Sequence, residues 1–101
     1  MGWADHYITK LRSGETVTFR PHGNSMTPRI KSGALCTVEP LTMDSEIKLG
    51  DVVLCKVRGA QYLHLVKAQE EDRVLIGNNH GRINGWTNRQ HIYGRLIAIA
   101  S

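Results

Sequence analysis

Apolar residues near the start of the chain recur at helical spacing. They would share one side of a helix, and Ser13-Gly14 follows as a stop signal. The apolar residues in question are Trp3, Tyr7, Ile8 and Leu11. The pattern therefore predicts one short helix within residues 1–14.

Beyond residue 14 the hydrophobic pattern changes to the alternation and the β-branched runs that are typical of strands. The loop Arg58-Gly59-Ala60 predicts a hairpin between two strands, and the Gly- and Asn-rich segment 77–85 predicts a long loop. The predicted strands are residues 16–19, 34–39, 51–57, 62–67, 73–76 and 91–100. We therefore expect a mainly β fold, a small coiled antiparallel β domain over residues 15–101 that follows the short N-terminal helix.

The composition is that of an ordinary globular domain. The chain has 101 residues, of which 41% are hydrophobic and 22% are charged, so we expect residues 1–101 to form one domain. The formal net charge of +4 comes from Lys and Arg scattered along the chain, without a basic run or interleaved aromatic residues. This balance weakly favours acidic partners, and nucleic-acid binding is not favoured as the main function.

The cysteines and the hydropathy of the chain indicate the cellular compartment in which the protein is expected. Cys36 and Cys55 lie in separate apolar runs, which favours buried free thiols over a zinc site or a disulfide. No apolar run approaches the roughly 18 residues of a membrane helix, and residues 1–15 lack the apolar core of a signal peptide. We therefore expect a cytoplasmic protein without a membrane anchor.

Two residues could carry nucleophilic chemistry. His64 projects from its predicted strand on the face opposite its two leucine neighbours. Ser25 lies in the segment GNSMTPRI, residues 23–30, and a serine is a poor nucleophile unless a base accepts its proton. The spacing alone is equally compatible with a structural histidine and an ordinary turn. The remaining histidines show no paired spacing, so no metal or other cofactor is expected; they are His6, His22, His80 and His91.

Several segments favour the catalytic interpretation of Ser25 and His64, because they resemble the segments of one group of proteins and follow in the same order. They are GNSMTPRI at 23–30, GDVV at 50–53, YLHLVKA at 62–68, and GNNHGRINGW at 77–86 followed by IYGRLIAI at 92–99. Together they resemble the signal peptidase and LexA-like serine peptidase clan, from about residue 16 to the C-terminus. The first segment resembles the clan's nucleophile segment, and YLHLVKA resembles the segment that carries the catalytic base.

The resemblance implies that Ser25 is the nucleophile and His64 the base. Bacterial and LexA-like members carry a lysine at the latter place, whereas the archaeal and endoplasmic-reticulum signal peptidases carry a histidine. Lys67 is a rival base, but strand alternation puts it on the face opposite His64. In the histidine branch an aspartate orients the imidazole, and the corresponding segment here offers only asparagines, of which we select Asn84.

The resemblance also assigns roles around Ser25. Gly23 would let a substrate backbone approach closely, although a tight turn would equally explain this glycine. Met26 resembles a residue that lines the substrate groove, and a core methionine is equally consistent. With Asn24 and the N–H of Ser25, these residues form the expected groove and oxyanion region. Asp51 is expected to be structural.

We therefore expect a soluble serine endopeptidase that uses a Ser-His dyad to cut a separate polypeptide, in the cytoplasm or in a phage-infected cell. The alternative is a weakly active or inactive peptidase fold that binds a peptide or, less favoured, nucleic acid. The lack of an acid beside His64 favours the alternative. A hydrogen-bond distance between Ser25 and His64 beside an open groove would favour catalysis.

Overall fold

The N-terminal helix is present in the computed structural model, which describes residues 2–100. Helix α1 spans Asp5–Arg12, with an acidic residue in its first turn and basic residues in its last turn. This order suits the helix macrodipole. The helix buries Ile8 and Leu11 in the core, as the apolar spacing predicts.

The rest of the chain forms one antiparallel sheet, so the predicted mainly β fold is confirmed. The seven strands lie in the order β1-β2-β7-β3-β4-β5-β6. A short 3₁₀ turn, Arg89–His91, precedes the last strand. The strands are β1 Val17–Phe19, β2 Leu35–Pro40, β3 Val52–Val57, β4 Ala60–Glu70, β5 Arg73–Gly77, β6 Ile83–Asn88 and β7 Ile92–Ala100.

The predicted hairpin is present, but the predicted loop 77–85 is too long. Arg58 and Gly59 connect β3 to β4 with φ values of 52° and 84°, the left-handed pair that a two-residue hairpin turn requires. Strand β6, however, already begins at Ile83 and pairs with β5. The Gly- and Asn-rich composition indicates a loop, but pairing with the free edge of β5 overrides that local preference.

Strand β3 is buried on both faces and contributes to two hydrophobic clusters. Val52 and Leu54 belong to the first cluster, which includes side chains of α1, β1 and β2. Val53, Cys55 and Val57 belong to the second, which includes side chains of β5. The alternation follows because successive side chains of a strand point to opposite faces. The centre of the sheet therefore connects two cores.

The sheet is coiled, since strand β6 returns to contact strand β3 although two strands separate them in the sheet order. The Thr87 hydroxyl on β6 donates a hydrogen bond of 2.7 Å to the carbonyl of Lys56 on β3. Gly85 has φ +136°, and a Cβ added there would lie 3.4 Å from Val57. The coiling brings β6 close to the strands that form the site.

Both cysteines, Cys36 and Cys55, are buried and free. Burial raises the pKa of the Cys55 thiol to about 12, because a thiolate would lose its solvation there. Burial also raises the pKa of the Cys36 thiol, so neither thiol is suited to act as a nucleophile. Within residues 2–100, none of the helices has the length and apolar character needed to cross a membrane.

Candidate active site

The segment around Ser25 forms a single turn that is anchored in the core. The N–H of Ile30 donates a 2.9 Å hydrogen bond to the carbonyl of Met26, and both side chains are buried in the first cluster. Gly23 precedes the turn with φ +116°, in the left-handed region that favours glycine. Ser25 itself is exposed. Two buried side chains thus fix a turn whose serine faces solvent.

His64 lies on β4 within reach of that serine. Its side chain is on the face shared with Tyr62 and Val66, as strand alternation predicts, and it is only 7% exposed. The Nε2 atom is 3.0 Å from Ser25 Oγ. The Tyr62 ring stacks on the imidazole, with ring centroids 4.9 Å apart. An exposed hydroxyl therefore meets a buried, oriented imidazole.

Asn84 holds the other side of the imidazole. Its Oδ1 lies 2.7 Å from Nδ1 of His64. Because an amide oxygen can only accept, Nδ1 must carry the hydrogen and donate it. In the neutral ring Nε2 then has a free lone pair, which can accept the proton of Ser25 Oγ. Asn84 thus selects the tautomer that a general base requires.

A β-bulge explains how Asn84 reaches this position. Where β5 pairs with β6, Ile76 faces Gly85 and Gly77 faces Ile83, so Asn84 is an extra residue without a partner. Bulges locally bend a strand and redirect a side chain. The sequence reasoning selected Asn84 through the family resemblance alone, because a bulge depends on the register between two strands.

The surroundings of His64 favour its neutral form. Burial lowers the pKa of His64 below the ordinary 6.5, because the imidazolium would lose solvation. The hydrogen bond to Asn84 acts in the opposite direction and is the smaller of the two effects on this pKa. At pH 7 the ring is therefore neutral and can accept a proton.

A second turn, residues 78–82, packs beside the turn that contains Ser25. We call residues 24–30 the serine turn and residues 78–82 the clamp turn. Asn78 closes it: its N–H donates to the carbonyl of Arg82 at 2.9 Å. The Asn78 side-chain oxygen accepts hydrogen bonds from the N–H groups of His80 and Arg82. The clamp turn is therefore braced from within by a single asparagine.

The clamp turn binds three backbone carbonyl groups of the serine turn. The N–H of Asn79 donates to the carbonyl of Ser25 at 2.9 Å, and the Asn79 side-chain amide donates to the carbonyl of Thr27 at 3.0 Å. Nε2 of His80 lies 2.9 Å from the carbonyl of Asn24, so it carries a hydrogen and donates it. The same Nε2 lies 3.0 Å from Thr27 Oγ1.

The sequence reasoning missed Asn79 and His80. The Asn-rich segment predicts a loop and, through Asn84, an orienting residue, whereas no motif in the sequence indicates a role for Asn79 or His80. The available signal was the turn-forming character of Asn-Asn and Gly, since asparagine side chains readily bind backbone groups. Which backbone groups they bind follows from the coiling of the sheet, which local sequence does not specify.

Ser25 and His64 open into a groove of about 600 Å³. Gly23 and Met26 line this groove, and Met26 is also a buried core residue. Asn24 is not among the lining residues; its carbonyl instead binds the clamp turn. Of the three residues expected around the groove, Gly23 and Met26 line it, and a substrate role for each of the three stays a prediction.

Backbone donors are available for an oxyanion. None of the hydrogen bonds among residues 2–100 uses the N–H of Ser25 or that of Met26. An acyl-transfer reaction needs such donors where negative charge develops on the carbonyl oxygen. The first residues of the serine turn therefore retain two unused N–H groups beside the nucleophile candidate.

Lys67 does not line the groove. It is the extra residue of a second bulge, between positions of β4 that pair with Ile76 and Leu75. Its side chain lies over Gly77, where an added Cβ would come within 2.9 Å of the lysine Cε. The candidate nucleophile therefore contacts the histidine and not the rival lysine.

Asp51 also lies outside the groove, and its contacts are structural. Its carboxylate accepts a 2.9 Å hydrogen bond from the N–H of Lys48 and is 3.5 Å from the guanidinium of Arg95. Across the described part of the chain, residues 2–100, no group of three or more His, Cys, Asp or Glu side chains is placed to hold a metal ion.

Ser25 lies beside His64 in an open groove of a coiled antiparallel sheet, which is compatible with the serine-peptidase resemblance of the sequence. The comparison with protein families agrees, since the model described as Peptidase S24-like matches residues 3–97. The chain therefore belongs to the Peptidase S24-like family, within the LexA and signal peptidase-like clan of serine peptidases. Comparison with curated proteins and with solved structures gave no match.

Proposed function

We propose that this chain is a serine endopeptidase in which Ser25 is the nucleophile and His64 the general base. The observation that carries the proposal is the 3.0 Å distance from Ser25 Oγ to His64 Nε2, with Nδ1 of the same ring bound to Asn84. Hydroxyl, base and orienting group thus form one hydrogen-bonded series.

In the proposed reaction Ser25 Oγ attacks a peptide carbonyl carbon while His64 Nε2 takes the hydroxyl proton. The N–H groups of Ser25 and Met26 stabilise the oxyanion of the tetrahedral intermediate. His64 then returns the proton to the leaving amine, and the C–N bond breaks. Water, deprotonated by the same imidazole, hydrolyses the resulting acyl-enzyme and restores the serine.

The proposed substrate is a separate polypeptide. No segment of residues 2–100 fills the groove, which is open to solvent beside Ser25. The proposed setting is the cytoplasm, a phage-infected cell included, and the free thiols Cys36 and Cys55 support it because reduced cysteines are usual there.

The second candidate function is an inactive peptidase fold that binds peptides. Asn84 favours it, because a neutral amide stabilises the imidazolium less than a carboxylate would. The two candidates differ in whether Ser25 reacts. A binding module would retain peptides in the groove without forming a covalent bond to the serine.

The test is reaction with a fluorophosphonate probe together with cleavage of unfolded polypeptides, both read by intact mass. We expect wild type to be labelled at Ser25. Ser25→Ala and His64→Ala should each lower the cleavage rate by more than about 10⁴-fold. Ser13→Ala and His6→Ala, which remove the same groups outside the groove, should retain full activity.

Circular dichroism should show that all four variants remain folded. Cleavage that persists in folded Ser25→Ala or His64→Ala would refute the assignment. An unlabelled and inactive wild type that still binds peptides would instead establish the binding module.

A further inference from the structure

Three aromatic side chains form one wall of the groove that contains Ser25. Trp3, Tyr7 and Phe19 all line it. The rings of Tyr7 and Phe19 stack with centroids 4.4 Å apart, and Trp3 lies 5.7 Å from Phe19. We call these three residues the aromatic wall. It joins helix α1 and strand β1 to the site on β4.

The aromatic wall is held in place by hydrogen bonds. The indole N–H of Trp3 donates to the carbonyl of Gln61 at 3.1 Å, and the N–H of Ala4 donates to the Gln61 side-chain oxygen at 2.6 Å. The Gln61 amide in turn donates to the carboxylate of Asp5. A buried glutamine thus fixes the start of helix α1 against the β3–β4 hairpin.

Despite these bonds, Trp3 is 51% exposed. A large aromatic ring that is oriented by its N–H but left open to solvent offers apolar area at little entropic cost. This is the usual character of an anchor site for a partner side chain. The aromatic wall therefore suits a bulky apolar side chain of the bound polypeptide.

The charge of the same groove is one-sided. Arg20 and Arg82 line it, and none of its lining residues is an aspartate or glutamate. Within residues 2–100 neither Arg20 nor Arg82 forms a salt bridge; the bridges present involve Arg95. Arg20 donates a 2.8 Å hydrogen bond to the carbonyl of Gly33, which leaves its charge in place. Guanidinium groups without a carboxylate partner beside a groove attract carboxylates.

We infer that the groove selects polypeptides that carry a bulky apolar residue, aromatic or branched, together with an acidic residue near the bond that Ser25 attacks. This inference deepens the proposed peptidase function and uses the same groove. Trp3 is assigned as the determinant of the apolar preference and Arg82 as the determinant of the acidic preference.

The experiment presents a synthetic library of random peptides in two ways. Wild type is incubated with the library and the cleaved bonds are read by mass spectrometry. Immobilised Ser25→Ala captures peptides from the same library, and the captured sequences are read likewise. We expect both sets to be enriched in bulky apolar and acidic residues at fixed positions relative to each other.

Four variants separate specific recognition from general effects. Trp3→Ala should lower kcat/KM, or capture, of the preferred peptides at least about 10-fold, whereas Trp86→Ala outside the groove should not. Arg82→Glu should remove the acidic preference with an effect of about 3- to 10-fold, whereas Lys48→Glu, which changes net charge equally, should leave it. Thermal unfolding monitors the fold of each variant.

The outcomes distinguish this inference from the proposed function. Capture of the expected peptides without cleavage would refute the peptidase and retain the recognition. Cleavage with a preference for small side chains would refute the recognition and retain the peptidase. So would a sequence preference that stays unchanged in folded Trp3→Ala and Arg82→Glu. If wild type cleaves no peptide and Ser25→Ala captures none, both the peptidase and the recognition are refuted.

Discussion

At the scale of residues, the site depends on what each nitrogen of one imidazole is bound to. Asn84 accepts from Nδ1, and Ser25 Oγ lies at hydrogen-bond distance from Nε2. Burial of His64 opposes protonation, so its pKa is below the ordinary value. The neutral amide of Asn84 therefore leaves the pKa of His64 low, whereas a carboxylate at the same place would raise the pKa of His64.

This combination predicts the pH dependence of wild type and of Asn84→Asp. A base must be unprotonated to act, so we expect kcat/KM of wild type to fall on the acid side with a midpoint below 6.5. Asn84→Asp places a negative charge beside the imidazole and favours the imidazolium. The acid limb should therefore move to higher pH, and the plateau above it should rise because the imidazolium of the transition state is stabilised.

The measurement is kcat/KM across pH for a peptide found in the library. Asn88→Asp is the matched control, because Asn88 lies exposed at the other end of the same strand. Its acid limb should coincide with that of wild type. An acid limb that Asn84→Asp leaves unmoved would show that Asn84 does not orient His64.

At the scale of elements, two turns and one bulge build the site. The serine turn is fixed to the core by Met26 and Ile30, and the clamp turn binds its carbonyl groups from the other side. The bulge in β6 adds Asn84. Each of these elements depends on the coiling of the sheet, which brings segments distant in the sequence into contact.

The clamp turn predicts a loss of catalysis when one of its bonds is removed. Asn79→Ala deletes the bond to the Thr27 carbonyl and keeps the backbone bond to Ser25. One hydrogen bond contributes roughly 0.5–1.5 kcal/mol, so we expect kcat to fall about 3- to 10-fold. KM should change little, because Asn79 does not line the groove.

Steady-state kinetics would check this prediction, with Asn88→Ala as an exposed asparagine outside the clamp turn. We expect Asn88→Ala to match wild type. An Asn79→Ala enzyme with unchanged kcat would show that the serine turn holds its position without the clamp turn.

Sequence alone was sufficient for elements whose signals are local. The helix follows from apolar spacing, and the β3–β4 hairpin follows from the glycine-bearing loop Arg58-Gly59-Ala60 between two predicted strands. The start of β6 at Ile83 could not be predicted in this way, because its strand character comes from pairing with β5. For the same reason the contacts of Asn79 and His80 required the structure.

At the scale of the whole molecule, strand β3 connects the two hydrophobic clusters. Its side chains alternate between them, and Leu54 is completely buried. A cavity at Leu54 would remove contacts from the first cluster. Because β3 also contributes side chains to the second cluster, a weakened β3 affects both clusters. The two clusters should therefore lose stability together and not one at a time.

Leu54→Ala tests this arrangement. We expect the free energy of unfolding to fall by about 2–5 kcal/mol, with a single transition retained. Leu49→Ala is the matched control, because Leu49 is 66% exposed, and its effect should stay within about 0.5 kcal/mol. Urea unfolding followed by fluorescence and circular dichroism would measure both. Equal effects, or two separate transitions in Leu54→Ala, would contradict the shared role of β3.

The position of β7 has a consequence for synthesis on the ribosome. This strand lies between β2 and β3, yet it is made after every residue of the candidate site. A nascent chain that has emerged only as far as β6 carries Ser25, His64 and Asn84 but lacks the strand that joins the two parts of the sheet. We therefore expect the proposed peptidase activity to arise only after translation has passed β7.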